Sequence, residues 1–195
     1  MVLIRVIPSA YRGGMKSDNP SGADDQQETV SRTLDPNWIC GFVDGEGCFS
    51  VSIHRNPLVR RTRGWQLGAV FQVYQHERDR RVLEMIAETF GCGAIRSKGP
   101  RSSVLTYCVS SLRDLEETVI PFFETHELLV KREDFERFAT IVRAMLRKEH
   151  LERDGFEWIV RTAYRMNAVG KQRSRTLEEV LTGSSETVRQ APRER

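Results

Sequence analysis

The chain has 195 residues, 39% of them apolar and 29% charged, with a formal net charge of +3; that is enough for one domain around one core and too little for two. No stretch approaches the roughly 18 uncharged apolar residues that a membrane span needs, and Val2 to Pro8 is too short, and interrupted by Arg5, to form a signal-peptide core. Cys40, Cys48, Cys92 and Cys108 lack the C-x-x-C pairing of a zinc site and read as free thiols at core or strand positions.

Residues 1–32 are rich in Ser, Gly, Asp, Gln and Pro without a hydrophobic period, which predicts a flexible leader. Asp35 then offers an N-cap and Pro36 a first helical position, with Gly47 as the stop about three turns later. Gly41 and Gly45 are four apart, so they share one face and strip it of bulk, letting a second helix come close. The same helix carries Asp44 and Glu46 in its last turn, where unpaired carbonyls already hold negative charge and each carboxylate costs about 0.3–1 kcal/mol unless a cation answers it. No Lys or Arg lies within six residues of either acid. The simplest completion is a hard divalent cation, Mg²⁺ or Mn²⁺, held by carboxylate and carbonyl oxygens.

Two alternating strands follow: Phe49, Val51 and Ile53 against Ser50, Ser52 and His54, then Trp65, Leu67, Ala69, Phe71 and Val73 against Gln66, Gly68, Val70, Gln72 and Tyr74. The polar link 56–64 reads as a hairpin loop. Val82, Leu83, Ile86, Ala87 and Phe90 mark a second helix stopped by Gly91. A second hairpin spans 94–98 and 104–110, with Arg96 and Lys98 outward. Ser111 and Asp114 then resemble a capping box that opens a helix, which Pro121 is expected to end. Apolar stripes at 135–146 and 159–164 add two more helices, and 170–195 reads as a basic, disordered tail after a domain at 33–169. The order αββαββα with helical additions is an α+β fold of antiparallel hairpins and helices.

Charge is partitioned along the chain. Residues 47–65 contain Arg55, Arg60, Arg61 and Arg63 and no acid; residues 91–113 contain Arg96, Lys98, Arg101 and Arg113 and again no acid. A merely solvated surface mixes both signs, so acid-free basic windows point to a polyanion. Ser50, Ser52, His54, Gln66, Gln72, Tyr74, Arg96 and Lys98 share the polar faces of two ribbons, and such ribbons fit the major groove, where Gln pairs with adenine and Arg or Lys with guanine. Arg55, Arg60, Arg61, Arg63 and Arg101 join them as DNA contacts, the loop arginines gripping phosphate. Any one of these residues alone would be an ordinary wet sheet face.

The run Ile39 to Gly47, ICGFVDGEG, resembles the LAGLIDADG motif of homing endonucleases, in the form with aromatic Phe42 and with Glu46 at the second acidic place. FSVSI at 49–53, FQVYQHE at 71–77, FGCGAI at 90–95 and PFFETHELLVKREDF at 121–135 follow the same family pattern in order and spacing. The resemblance covers 36–148 and, more loosely, 156–175. It implies a catalytic set of Glu46, Gln75 and Lys131. Glu46 would ligate a divalent metal beside the Gly45 carbonyl, with Asp44 a supporting or capping member of that set. Gln75 would position water, and Lys131 would polarise it or stabilise transition-state charge.

The motif occurs once. One copy supplies one Glu46, whereas cutting both strands of a duplex needs two such centres, so the expectation is a homodimer packed through Gly41, Phe42 and Gly45 on a pseudo-palindromic DNA site. The activity implied is site-specific, metal-dependent double-strand DNA cleavage in intron or mobile-element homing. Its rivals are an RNA-splicing maturase, with RNA as partner, and a non-catalytic DNA-binding regulator on the same scaffold; a pure binder has no reason to keep an acid beside phosphate. Arginine outnumbers lysine 25 to 5, which points to a GC-rich genome and a cytoplasmic, nucleoid-associated protein rather than an organellar one, although Met1 to Ser17 is basic and acid-free as in a transit peptide.

Overall fold

A computed structural model describes residues 34–59, 62, 64–167 and 175–182. The expected leader and the readings of Arg60, Arg61 and Arg63 lie outside the described residues.

Helix α1 (Pro36–Glu46) begins where its cap chemistry places it. The Asp35 carboxylate accepts from the N–H groups of Asn37 at 2.8 Å and Trp38 at 3.1 Å, and Pro36 occupies the first turn. The helix ends at Gly47, where a Cβ would stand 2.6 Å from Val43 Cγ1 and 2.7 Å from the Val43 carbonyl oxygen. A residue without a side chain is what lets the chain turn directly from α1 into β1 (Gly47–Arg55) with no linker.

β1 pairs antiparallel with β2 (Trp65–His76), and β2 with β4 (Val104–Val109), which carries β3 (Ala94–Ser97) on its far edge; the sheet order is β1-β2-β4-β3. The register aligns Phe49 with Phe71, Ile53 with Leu67, Phe71 with Val109 and Val73 with Tyr107 on one face. That face carries the core. The Phe49 ring lies 5.1 Å from Phe71, 5.5 Å from Phe123, 5.3 Å from Phe135 and 5.4 Å from Phe138, centroid to centroid, so one strand residue ties the sheet to the helices beneath it. α2 (Arg80–Phe90) delivers Leu83, Ile86 and Phe90 to the same core and stops at Gly91, whose φ of +63° is left-handed.

Two expectations for the second half are corrected. Pro121 does not end its helix: α3 (Leu112–Asp114), a π turn (Leu115–Val119) and α4 (Ile120–Thr125) run on without a break. In the π turn the Ile120 N–H reaches back to the Leu115 carbonyl, and this wider turn gives the proline ring room that a regular turn would deny it. α5 (Arg132–Leu146) and α6 (Arg153–Tyr164) are the two expected later helices. The second correction is α7 (Leu177–Thr182), a helix within the stretch expected to be a disordered tail. Thr176 and Glu179 cap it reciprocally: the Glu179 N–H donates to Thr176 Oγ1 at 3.2 Å and the Thr176 N–H to the Glu179 carboxylate at 2.9 Å. Val180 is buried, and the Tyr164 hydroxyl donates to the Arg175 carbonyl at 2.9 Å, which fastens the segment to α6. Among the described residues no helix is long and apolar enough to cross a membrane.

Candidate catalytic centre and nucleic-acid interface

The two acids at the end of α1 have different surroundings. Asp44 Oδ2 accepts the Leu129 N–H at 2.8 Å, Asp44 Oδ1 accepts the Lys131 N–H at 2.9 Å, and the Lys131 ammonium donates to the Asp44 carbonyl oxygen. Lys131 immediately precedes α5, so the negative end of one helix meets the positive end of another. The charge that no nearby cation could answer is therefore answered by a residue 87 positions away. Each of its carboxylate oxygens accepts a backbone donor, so Asp44 caps the junction that joins α1 to α5.

Glu46 is exposed and, among the described residues, has no hydrogen-bond or ion-pair partner. It stands at the last position of α1 beside exposed Gly45, where helix carbonyls lack intrahelical partners. This all-oxygen set suits a hard divalent cation. Among the described residues no group of three or more His, Cys, Asp or Glu side chains gathers, and Glu46 is the uncommitted carboxylate at this helix end.

Gln75 is placed by register. Gly47 pairs with Val73, so β2 runs three residues past the start of β1 and carries Gln75 to the end of the sheet where α1 enters. Its Oε1 accepts the His76 N–H at 2.7 Å, which leaves Nε2 as the outward end of the carboxamide. Lys131, which lies close enough to Cys48 for its charge to hold down a thiol that burial otherwise pushes up, marks the same corner.

The opposite sheet face carries the polar residues. His54 is paired with Gln66, Gln72 stands between Cys48 and Cys108, and Tyr74 is aligned with Thr106 and, one strand further, Arg96. No strand position on this face holds a carboxylate. Several of its side chains brace one another: the Tyr74 hydroxyl donates to Gln72 Oε1 at 3.0 Å, Lys98 Nζ lies 4.9 Å over the Tyr74 ring, and the Asn56 amide donates to Gln66 Oε1 at 2.7 Å. The Ser52 hydroxyl donates to the Gly68 carbonyl at 3.1 Å, Ser50 pairs with Val70 on the same face, and Arg101 is exposed in the turn between β3 and β4. Arg55 does not belong to this face. It pairs with Trp65 on the helix side, with its guanidinium 4.2 Å over that ring, because a charge count along a window does not register which residues alternate to which face. Cys48, Val70 and Cys108 do belong, and alternation through β1, β2 and β4 could have found them.

The free face of α1 presents Trp38, Gly41, Phe42 and Gly45. A Cβ at either glycine would meet nothing within 4 Å. Trp38 stacks on Phe42 with ring centroids 5.0 Å apart and is 43% exposed. Beside Asp44, Leu129 and Val130 are 83% and 78% exposed, an apolar extension that the Leu129 and Lys131 bonds to Asp44 fasten to this helix end.

Comparison with known proteins agrees with this geometry. The LAGLIDADG endonuclease family matches residues 39–142. The chain is 31% identical over 157 residues to homing endonuclease I-ApeII of Aeropyrum pernix, covering 78% of this chain and 91% of that one. It is 36% identical over 128 residues to "Probable intron-encoded endonuclease 2" of Neurospora crassa, of which it spans only 28%. Among solved structures, the archaeal intron-encoded homing endonuclease I-Vdi141I in complex with DNA aligns with a TM-score of 0.69 at 31% identity, over 76% of this chain and 93% of that one. I-SmaMI, bound to uncleaved DNA in the presence of calcium ions, aligns with the same TM-score and identity, but the match spans 49% of that chain. With the single motif, the sheet register and the matched span in agreement, this chain belongs to the LAGLIDADG endonuclease family.

Proposed function

We propose that the protein is a site-specific, divalent-metal-dependent double-strand DNA endonuclease that works as a homodimer on a long, pseudo-palindromic site. The observation that carries this reading is the division of labour at the end of α1: Asp44 serves as a cap, while Glu46 has no partner among the described residues. An exposed, unanswered carboxylate at a negative helix end is a cost in the free chain, and a shared cation beside phosphate would turn it into a gain. Glu46 and the Gly45 carbonyl would hold that Mg²⁺ or Mn²⁺, which when bound would activate water and offset charge on the departing oxygen. Lys131 spends one N–H donor on the Asp44 carbonyl and keeps the others for charge that develops on phosphate. Gln75 Nε2 is free to orient water.

Dimerisation is supported by the open glycine face of α1, its exposed Trp38, and Leu129 and Val130 beside it. That the chain spans about half of one DNA-bound structural neighbour is what a unit needed twice would give. The protein would act where its DNA lies, in the cytoplasm as a nucleoid-associated enzyme.

The test is incubation of the purified protein with a randomised duplex library and Mg²⁺. Wild type should cut both strands at a defined site, and Glu46→Gln should bind that site while cutting about 1000-fold more slowly. A wild type that binds a site yet never nicks it refutes the enzyme, and sedimentation showing only monomer with DNA refutes the dimer.

A further inference from the structure

One hydrogen-bonded relay on the outer face starts from a backbone N–H and therefore has a definite sense. The Leu58 N–H can only donate, and it donates to Asn56 Oδ1 at 3.2 Å. That assigns the Asn56 amide. Its Nδ2 is the other end, and it donates to Gln66 Oε1 at 2.7 Å. The Gln66 carboxamide is assigned in turn, with its oxygen toward Asn56 and its NH₂ as the end turned away from it on an exposed side chain. The turn itself is held by the Asn56 backbone, whose N–H donates to the Gly64 carbonyl at 2.8 Å and whose carbonyl accepts from Val59 at 3.0 Å. The contrast is Gln72, whose partner is the Tyr74 hydroxyl. A hydroxyl can donate or accept, so that bond, in which the hydroxyl donates here, reverses freely and does not hold the amide in one sense.

An unrestrained Gln offers a donor and an acceptor together and pairs with adenine. One whose oxygen is turned to a neighbour presents N–H donors. We propose that Asn56 is a positioning residue that makes Gln66 read an acceptor edge: guanine, which offers N7 and O6, is favoured on the contacted strand, and cytosine, which offers only its N4 amino group, is rejected. This rests on the outer face being the DNA-contacting surface.

Asn56→Asp separates the relay from the turn. A carboxylate still accepts the Leu58 N–H, so the turn keeps its bond, but it has no donor for Gln66 Oε1 and instead calls for the Gln66 NH₂. The carboxamide turns over and presents oxygen to the groove, which favours cytosine or adenine. Asn56→Ala releases the carboxamide to rotate.

The experiment selects a randomised duplex library on the full chain without divalent metal, for wild type, Gln66→Ala, Asn56→Asp and Asn56→Ala. Gln66→Ala should flatten one position of each half-site and so identify it. At that position wild type should enrich guanine over cytosine by about fivefold or more, Asn56→Asp should invert the preference, and Asn56→Ala should flatten it, with every other position unchanged. The added negative charge of Asn56→Asp lowers affinity for all sequences alike, so the base ratio is the readout. A wild-type preference for cytosine there, or an Asn56→Asp profile equal to wild type with an unchanged melting temperature, overturns the proposal. Should Asn56→Asp loosen the turn, the wild-type preference alone decides. A wild type that enriches no sequence at all refutes the DNA-contacting surface itself, a result distinct from a selected site with the wrong base at the Gln66 position.

Discussion

The helix-side face of the sheet buries Phe49, Phe71, Val73, Tyr107 and Val109 to 1% exposure or less. The outer face leaves Ser52, His54, Gln66 and Arg96 exposed and braces Gln66 and Gln72 with polar neighbours. One face satisfies itself within the chain; the other holds its groups in place for something outside it. Because alternate residues of the same strands serve the two faces, stability and recognition are interleaved in sequence yet separable by substitution.

The comparison breaks most easily from the buried side. Phe49→Ala removes the ring that touches Phe71, Phe123, Phe135 and Phe138 and should cost about 3–5 kcal/mol in urea unfolding, while the base preferences of whatever protein remains folded stay the same. Asp44→Ala should cost about 1–3 kcal/mol, since it strands the Leu129 and Lys131 N–H groups; amide exchange at these two positions should quicken, a local signature that a general loss of packing would not produce. On the outer face the order of effects reverses. Gln72→Ala should leave the melting temperature within error and relax discrimination at one base position by about 1–3 kcal/mol, read from competitive binding of matched and mismatched duplexes.

The smallest effect sharpens the contrast with a group that belongs to neither face. His150 sits on the 3₁₀ turn Glu149–Leu151 with its Nδ1 buried, and burial, which outweighs a hydrogen bond with the Met145 backbone, holds its pKa below the ordinary 6.5. The folded chain keeps the imidazole neutral where the unfolded chain would protonate it. Its contribution is therefore intact above about pH 6.5 and declines as pH falls from there through the lower folded value, with a slope of at most about 1.4 kcal/mol per pH unit. His150→Leu should remove that slope in pH-dependent unfolding.

Much of the fold was legible because its signals are short-range. Asp35 and Pro36, Gly91, and the alternation through 49–53 and 65–73 act within a few residues, and helices and strands appear where they point. The pair Thr176 and Glu179 was an equally local signal that charge and low hydrophobicity concealed. Pro121 misled because a proline forbids a regular turn, not the π turn that the core packing of Leu115, Val119 and Ile120 rewards.

From the sequence alone came the αββαββα order, the singular motif and the acid-free windows, since periodicity, capping and charge runs are properties of neighbouring residues; that Glu46 is the acid to watch came from the family resemblance. Which of two adjacent acids is free was a tertiary decision: the donors that occupy Asp44 lie 85 and 87 positions away, beyond any local window. The same holds for the face to which Arg55 turns and for the sense of the Gln66 carboxamide, because cross-strand register brings their partners together and adjacency in the chain does not.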